Sequence, residues 1–376
     1  MLPDRQPNLV TLPDFEKYSK IGVGAVVIAK FNYDKTGNLE VRLRMWDVLD
    51  ERQLLGKFYN SSRDNYRKMS NVISDEIFKS ITGERIGHFN SQITYVAETG
   101  PINRRAKQIN IINFDGSNQR SLTSSRDLVL MPVFSKKTNE ILYVKYFENR
   151  PQIFSLDLNN LRSKKVGGFR GPNLAAAVNP TDPNKILLSA IVDSNSDIYE
   201  LDIAQNVATQ LTKSPAIDTT PSYSPDGKKI IWRASRPKTD AEVKEYKDFL
   251  AQDLVAPTNM EVWISNADGS NAHQVTSYGQ ANWAPAYMPD SKRIIFASNH
   301  EYKRGFPFNL YTINEDGSNL TKISRDKGFD AFPMFSLDGK KIIFSSNHHS
   351  SKGYDFQLYM VNDDGSGLEQ ITFNSI

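Results

Sequence analysis

The residues of this chain that could carry out chemistry are few. The sequence has no cysteine, which excludes thiol catalysis, disulfide bonds and cysteine-based metal sites. It contains no Gly-x-Ser-x-Gly nucleophile motif, and its only histidines are His88, His273, His300, His348 and His349. His300 and His348 follow similar Ser-Asn pairs, so they either approach each other as a metal pair or bind their own loops through hydrogen bonds. We favour the second reading and expect a protein that is not an enzyme and binds no cofactor or metal.

A stronger candidate site consists of four polar residues that occupy equivalent positions, each ahead of the aromatic or apolar centre of a strand. These residues are Asn173, Asp218, Asn282 and Asp330. If the strands are innermost in a ring, the four side chains form part of a polar ring at one mouth of a central channel and contact a partner or a cation there. Alternatively, each side chain caps its own loop by binding backbone N–H groups. Arg126 and Arg170 lie in the corresponding loops of the first repeats and could meet an acidic partner.

The elements that must position these residues belong to an internal repeat. Asp-Gly pairs between apolar runs, such as Asp226-Gly227 and Asp316-Gly317, predict tight hairpin turns in which glycine supplies the positive φ. A short closing strand follows each unit, marked by an apolar residue at positions 122, 166, 211, 275, 323 and 371. Successive markers are 44, 45, 64, 48 and 48 residues apart. Four short strands in each unit of this size are typical of propeller blades, so the sequence predicts six blades.

The longer gap contains a helical insertion over residues 237–258. Thr239 and Glu242 have the spacing of a capping box, and Val243, Tyr246 and Phe249 share one face of the helix. This face either packs onto its own blade or forms a lid that docks a partner.

Residues 1–86 precede the repeats and predict a small α/β domain, with the propeller over residues 87–376. Asp14 is placed to cap a short helix, and the strand 39–45 alternates apolar with charged residues. Tyr66, Met69, Ile73, Ile77 and Ile81 recur at helical spacing ahead of Gly83, which suits a C-terminal cap. We therefore expect a fragment resembling a βαβ unit.

Charge and hydropathy narrow the classes of partner. Lys and Arg number 46 against 43 Asp and Glu, a formal net charge of +3 with both signs interspersed, which is not a nucleic-acid-binding pattern. The chain contains no apolar run near 18 residues, so no membrane span is expected. The first seven residues have no apolar signal-peptide core.

Several stretches resemble the TolB family of propeller proteins. The repeats carry Tyr-Ser-Pro-Asp-Gly-Lys-Lys (223–229), Asn-Glu-Asp-Gly-Ser (314–318) and Gln-Ile-Thr (370–372). Residues 12–85 resemble the end of the family's N-terminal domain, notably at 21–27, 45–48 and 73–78, and Ile-Thr-Tyr-Val (93–96) opens the first blade. From about residue 231 onward the chain is closer to other secreted members of the family, which raises the hypothesis of a chimera.

This resemblance implies a six-bladed β-propeller behind a small α/β domain, in a periplasmic scaffold protein of the Tol-Pal cell-envelope system. It implies binding of the peptidoglycan-associated lipoprotein through the propeller. Binding of TolA is not expected, because the family's TolA-binding segment lies upstream of the residues matched here. Two alternatives stay open: a recombined or engineered propeller with no native function, and a regulatory propeller related to those of serine peptidases.

The spacing of the repeats also predicts how the ring closes. The centre of each innermost strand lies 12 residues after the preceding marker, as positions 211 to 223 and 323 to 335 show. Applied to Ile371, the same interval points to position 383, after the last residue, Ile376. We therefore expect the first blade to lack its innermost strand and to have three strands, with an inner edge that is open or only partly covered by residues 373–376.

Overall fold

The computed structural model describes residues 8–101, 104–135, 137, 139–167, 169, 173–193, 195–215, 217–237, 239–250, 260–302, 307–324, 328–350, 353 and 355–373. The chain divides into two compact units, Met1–Ser91 and Gln92–Ile376. The sequence placed this boundary at residue 86.

The N-terminal unit is a three-stranded antiparallel meander followed by a helix. Its elements are α1 Phe15–Lys20, β1 Ala25–Tyr33, β2 Leu39–Asp47, β3 Gln53–Ser61, a 3-10 turn Arg63–Asn65 and α2 Tyr66–Thr82. The expectation of a βαβ-like fragment is wrong, because the three strands are joined by tight turns and no helix crosses between parallel strands.

Packing in this unit follows the predicted strand pattern. Val41, Leu43 and Met45 of β2 are buried, and the intervening arginines are exposed. The Asp14 side chain accepts a hydrogen bond from the Lys17 N–H and caps α1, and Gly83 ends α2 in the left-handed conformation, as predicted.

The apolar face of α2 is shorter than its periodicity suggested. Met69 is buried and Ile73 packs on the β2–β3 core, as does Ile77. Tyr66 and Ile81, at the two ends of the helix, are exposed.

The second unit is a six-bladed β-propeller. Blade one contains β4 Gln92–Thr99, β5 Ala106–Asn113 and β6 Arg120–Ser121. Blade two contains β7 Val129–Phe134, β8 Glu140–Phe147, β9 Arg150–Asp157 and β10 Ser163–Lys165. Blade three contains β11 Asn173–Val178, β12 Lys185–Val192, β13 Asn195–Asp202 and β14 Val207–Gln210. Blade four contains β15 Ile217–Tyr223, β16 Lys229–Ser235, α3 Asp240–Leu250, β17 Glu261–Asn266 and β18 His273–Gln274. Blade five contains β19 Asn282–Tyr287, β20 Arg293–Ser298, β21 Asn309–Asn314 and β22 Thr321–Lys322. Blade six contains β23 Asp330–Phe335, β24 Lys341–Ser346, β25 Gln357–Asn362 and β26 Glu369–Gln370.

Blade-to-blade packing rests on the second strand of each blade. In β20, Ile294 packs toward blade four and Ile295 toward blade six, because successive side chains of a strand point to opposite faces of the sheet. The other second strands behave in the same way, and six apolar clusters result, one at each interface. The sixth cluster joins Met360 and Ile371 of the last blade to Tyr95 and Ile112 of the first, so the ring is closed by packing.

Blade one has three strands among the described residues, as the marker spacing predicted. β4 is its innermost strand and pairs with β5 alone in the described part of the chain. Phe373, the last described residue, is exposed.

The predicted closing strands end in a recurring hydrogen-bond pair. In blade four, the Val275 N–H donates to the Val262 carbonyl, and the Val262 N–H donates to the Thr276 hydroxyl. Blades one, three, five and six repeat this geometry with Thr or Ser. The apolar marker packs at the blade interface. The Thr or Ser hydroxyl accepts the backbone N–H that would bind a carbonyl if the closing strand were longer.

Glycines of the Asp-Gly-Ser turns connect each blade to the one before it. Gly269 has φ +84°, and a Cβ there would lie 2.3 Å from the Leu211 carbonyl oxygen of blade three. Gly317 and Gly365 face the previous blade's marker in the same way, and Gly116 of blade one faces Ile371 of blade six. Glycine is therefore required twice, for its positive φ and for this close approach.

Four innermost strands carry a β-bulge that the sequence analysis missed. At each bulge the residue before a proline adopts a left-handed conformation; these residues are Met131, Thr220, Ala284 and Phe332, with φ between 48° and 56°. Proline cannot donate to the ladder, so a bulge accommodates it where the register shifts. Blade three has no proline at this place, and its shift spans fewer residues.

The insertion forms helix α3, and its predicted capping box is confirmed. The Thr239 N–H donates to Glu242 Oε2 at 3.0 Å, and the Glu242 N–H donates to Thr239 Oγ1 at 3.2 Å. Val243 and Tyr246 are partly buried, while the side chain of Phe249 lies outside the described residues. The Tyr246 hydroxyl oxygen is buried, and burial together with Asp197 and Asp218 raises the pKa of Tyr246 to about 12. The tyrosine side of the helix therefore faces the protein and not the solvent.

We expect Gly269→Ala to lower the melting temperature more than Gly353→Ala does. Both glycines have positive φ, which costs an L-residue about 1–2 kcal/mol, but Gly353 has open space at its Cβ position. Alanine at 269 must also displace the Leu211 backbone. Thermal unfolding followed by circular dichroism measures the difference, and equal losses for the two variants would show that the contact between blades contributes nothing.

Substitution of Tyr246 by Asp should destabilise the propeller, because it brings a third carboxylate close to Asp197 and Asp218 in a desolvated place. Tyr246→Phe removes a hydroxyl that has no hydrogen-bond partner among the described residues and should leave the melting temperature unchanged or raised. Lys244→Asp, on the exposed face of α3, controls for added negative charge. An unchanged melting temperature for Tyr246→Asp would mean that α3 does not pack on the blade.

Candidate functional site

The mouth of the propeller is defined here as the end at which the innermost strands begin. Asn173 and Asn282 are the first residues of β11 and β19, Asp330 begins β23, and Asp218 is the second residue of β15. Each is paired in register with a residue near the end of the second strand of its blade. The four predicted residues therefore lie at the same end of the propeller. Each is 1% exposed or less.

The two asparagines form hydrogen bonds within the mouth. Asn173 accepts from the Phe169 N–H at 3.1 Å and donates to the Phe169 carbonyl at 2.8 Å, which is the loop-capping role. Asn282 donates to the Met260 carbonyl at 2.9 Å and accepts from the Ser298 hydroxyl at 2.7 Å. These side chains hold the loops that enter the innermost strands.

Asp218 is fully buried and forms an ion pair with Arg236. One Nη of Arg236 lies 3.0 Å from Asp218 Oδ2, and the Trp232 indole N–H donates to Oδ1 at 3.2 Å. Burial raises the pKa of Asp218, and the Arg236 guanidinium opposes this shift. Arg236 also lies 4.1 Å from the centre of the Trp263 ring. The charge of Asp218 is thus neutralised within its own blade.

Only one of the two predicted arginines, Arg126, lies within the described residues. Arg126 is exposed in the loop between β6 and β7, and its backbone N–H donates to the Ser124 hydroxyl. Arg170 lies outside the described residues. Binding of a partner at the mouth stays a prediction, and the buried ring side chains leave the surrounding loops as the accessible surface.

A second arginine and indole pair lies at the mouth and was missed by sequence reasoning. The guanidinium carbon of Arg233 in β16 lies 5.1 Å from the centre of the Trp283 ring in β19. The two residues belong to adjacent blades and are separated by an insertion, so no local spacing links them. The only sequence signal is the unusual Trp-Arg-Ala-Ser-Arg segment at 232–236.

His300 is packed between two tyrosine rings in the described structure. The His300 ring lies 4.5 Å from the Tyr311 ring and 4.8 Å from the Tyr278 ring, centre to centre, and burial lowers its pKa. His300 Nδ1 also lies 3.1 Å from the Ser298 hydroxyl, a contact that resembles a catalytic pair. Ser298 is fully buried, however, and donates its proton to Asn282, so no substrate can reach it.

The described residues contain neither a metal-binding cluster nor a membrane-spanning helix. No cluster of three or more His, Asp or Glu side chains there has the arrangement of a metal site. None of the described helices is both long and apolar enough to cross a membrane.

Comparison with known proteins identifies relatives for both units. The family model described as the TolB beta propeller domain matches residues 78–240 and 253–376, and the TolB amino-terminal domain model matches residues 2–54. The propeller model thus matches both halves of the ring, and nothing in the comparisons supports a chimera.

Individual relatives agree with these family matches. The chain is 34% identical over 202 residues to the Tol-Pal system protein TolB of Gluconobacter oxydans; this match covers 54% of the chain but only 44% of that relative's length. The crystal structure of TolB from Acinetobacter baumannii matches 96% of the chain and 82% of its own with a TM-score of 0.75 at 21% identity. A putative TolB from Agrobacterium tumefaciens matches 71% of the chain and 88% of its own with a TM-score of 0.57 at 20% identity. The amino-terminal domain match is followed along the chain by the propeller match, which covers most of the sequence. Together with the six-bladed fold, these matches show that the chain belongs to the TolB beta propeller family.

Proposed function

We propose that this protein is a non-enzymatic, periplasmic protein-binding component of a Tol-Pal system and binds the peptidoglycan-associated lipoprotein at the mouth. The observation that carries the proposal is the burial of both faces of each blade against its neighbours. A partner can therefore reach only the two ends and the outer rim of the propeller. Family membership favours a Tol-Pal partner and a periplasmic location over the other scaffold roles open to propellers.

Several accessible features lie at the mouth. Helix α3 projects from the connection between β16 and β17, which emerges at this end. Exposed Arg126 lies in the loop that enters blade two. A cavity of about 460 Å³ lies against the hairpin of blade two, beside Phe147, Arg150 and Lys165, with the acidic Glu148 also in its lining. Basic and aromatic groups of this kind are enriched in protein interfaces and suit an acidic partner surface.

The non-enzymatic part of the proposal rests on the buried polar groups. Asp218 is neutralised by Arg236, and the Ser298 hydroxyl is inaccessible. His300 is held between tyrosine rings. In the described part of the mouth, the groups able to carry out acid, base or nucleophilic chemistry thus already serve packing or hydrogen bonding.

Calorimetric titration with the soluble domain of the peptidoglycan-associated lipoprotein from the same genome tests the proposal. We expect saturable binding that Arg126→Glu weakens about tenfold, because charge reversal removes a favourable electrostatic contact at the interface. Arg120→Glu is the matched control: it reverses an exposed charge six residues earlier, on the outermost strand β6 of blade one.

No heat of binding from a protein that circular dichroism shows to be folded would refute the lipoprotein as partner. Equal weakening by the two charge reversals would instead refute the mouth as the binding surface.

A further inference from the structure

Arg233 and Arg236 lie three residues apart near the mouth, and each contacts an indole ring. Arg236 also has a carboxylate partner, Asp218, at 3.0 Å. Arg233 forms no ion pair with a described residue, and its Nε atom is buried without a hydrogen-bond acceptor there. Burial alone lowers the pKa of Arg233 to about 10, which still leaves the guanidinium charged at neutral pH.

A second donor in the same contact also lacks an acceptor. The Trp283 indole Nε1 is buried and has no hydrogen-bond partner among the described residues. Its ring packs on Phe308 and Phe329, with centroid distances of 5.3 and 6.3 Å, which fixes the indole between blades five and six. Buried donors in native proteins nearly always find an acceptor, and an arginine guanidinium presents a planar set of donors that matches a carboxylate.

We propose that Arg233 and Trp283 form a binding site for a carboxylate group at the mouth of the propeller. The Arg236, Trp263 and Asp218 cluster is the internal precedent: there the chain supplies the carboxylate itself. At Arg233 the carboxylate comes from outside the described chain, either from a small carboxylic acid or from an acidic side chain or chain terminus of a bound peptide. The indole face stabilises the guanidinium in the unliganded state through a cation–π contact.

Position within the strands places both residues near the mouth. Arg233 pairs in register with Thr219, two residues from the last pair of β15 and β16 at that end. Trp283 is the second residue of β19. Both side chains are only partly buried, in contrast to the fully buried Asp218 and Trp232.

Titration of ¹⁵N-labelled protein with sodium acetate at constant ionic strength tests the site by NMR. The Nε–H signal of Arg233 and the Nε1–H signal of Trp283, assigned with Arg233→Lys and Trp283→Phe, should move together and saturate. The Nε–H signal of Arg236 should stay in place, and sodium chloride should have no comparable effect. Arg233→Lys keeps the charge but loses the planar fork and should weaken binding at least fivefold. Signals that do not move with any carboxylate, or that move equally with chloride, would overturn the proposal.

Stability supplies an independent readout. Arg233→Met should abolish the acetate response and leave the melting temperature unchanged or raised, because it removes a buried charge that has no ion-pair partner among the described residues. Arg236→Met should lower the melting temperature, because it leaves Asp218 buried without its counter-charge, while the acetate response of Arg233 persists. If Arg233→Met lowers the melting temperature as much as Arg236→Met does, Arg233 is a structural residue and the proposal fails.

Two further probes identify the source of the carboxylate. Tenfold tighter binding of N-acetylaspartate amide than of acetate indicates a peptide side chain, and tighter binding of N-acetylglycine indicates a chain terminus. Equal binding of all three indicates that a small carboxylic acid suffices, and each of these results supports the site. The inference does not depend on the lipoprotein: loss of lipoprotein binding with a retained acetate response would refute the proposed partner alone.

Discussion

Packing between the blades depends on the alternation of side chains along the second strand of each blade. Because Ile294 and Ile295 point to opposite neighbours, a single short strand contributes to two apolar clusters. The same rule applied six times buries both faces of every sheet and closes the ring between blades six and one. Strands buried on both faces read as continuous apolar runs, and polar groups are displaced to the ends of the strands. The polar character of the mouth therefore follows from the packing between blades, and its chemistry is set by the residues at which the innermost strands begin.

Those four residues already have a role in the fold. Asn173, Asp218, Asn282 and Asp330 are buried at the start of innermost strands, where the chain enters from a loop and the ladder has not yet begun. The two asparagines supply side-chain partners for backbone groups there, whereas Asp218 is held by the side chain of Arg236. The loops so anchored, together with α3, form the accessible surface. Only one layer of side chains thus separates the accessible loops of the mouth from the buried residues that stabilise the fold.

Much of this architecture could be predicted from the sequence because it rests on local rules. Asp-Gly turns, the apolar markers, the alternation of β2 and the capping box of α3 each depend on residues within a few positions of one another. Features that depend on a neighbouring element could not be predicted. Gly269 is needed beside Leu211 of another blade, and the exposure of Tyr66 and Ile81 depends on how much of α2 the sheet covers. The four bulges carry a visible x-Pro signal, but only the pairing register shows that the preceding residue is left-handed.

The Arg233 and Trp283 contact also could not be predicted from local rules. Its free-energy cost is tolerated because it is confined to one interface of the ring. A guanidinium removed from water without a counter-charge destabilises the folded state by an amount that a cation–π contact offsets only in part. In a propeller this cost falls mainly on the interface between blades four and five, because each blade contacts only its neighbours in the ring. The other five apolar clusters are unaffected, so the ring remains closed while one interface holds a guanidinium that no described residue neutralises. Arg236 shows the alternative within the same blade: with Asp218 present the charge is neutralised and the residue is a structural element. The two arginines therefore differ in one carboxylate: Arg236 has Asp218 as its partner. Arg233 has no such partner among the described residues, and it is the arginine that we propose as available for binding.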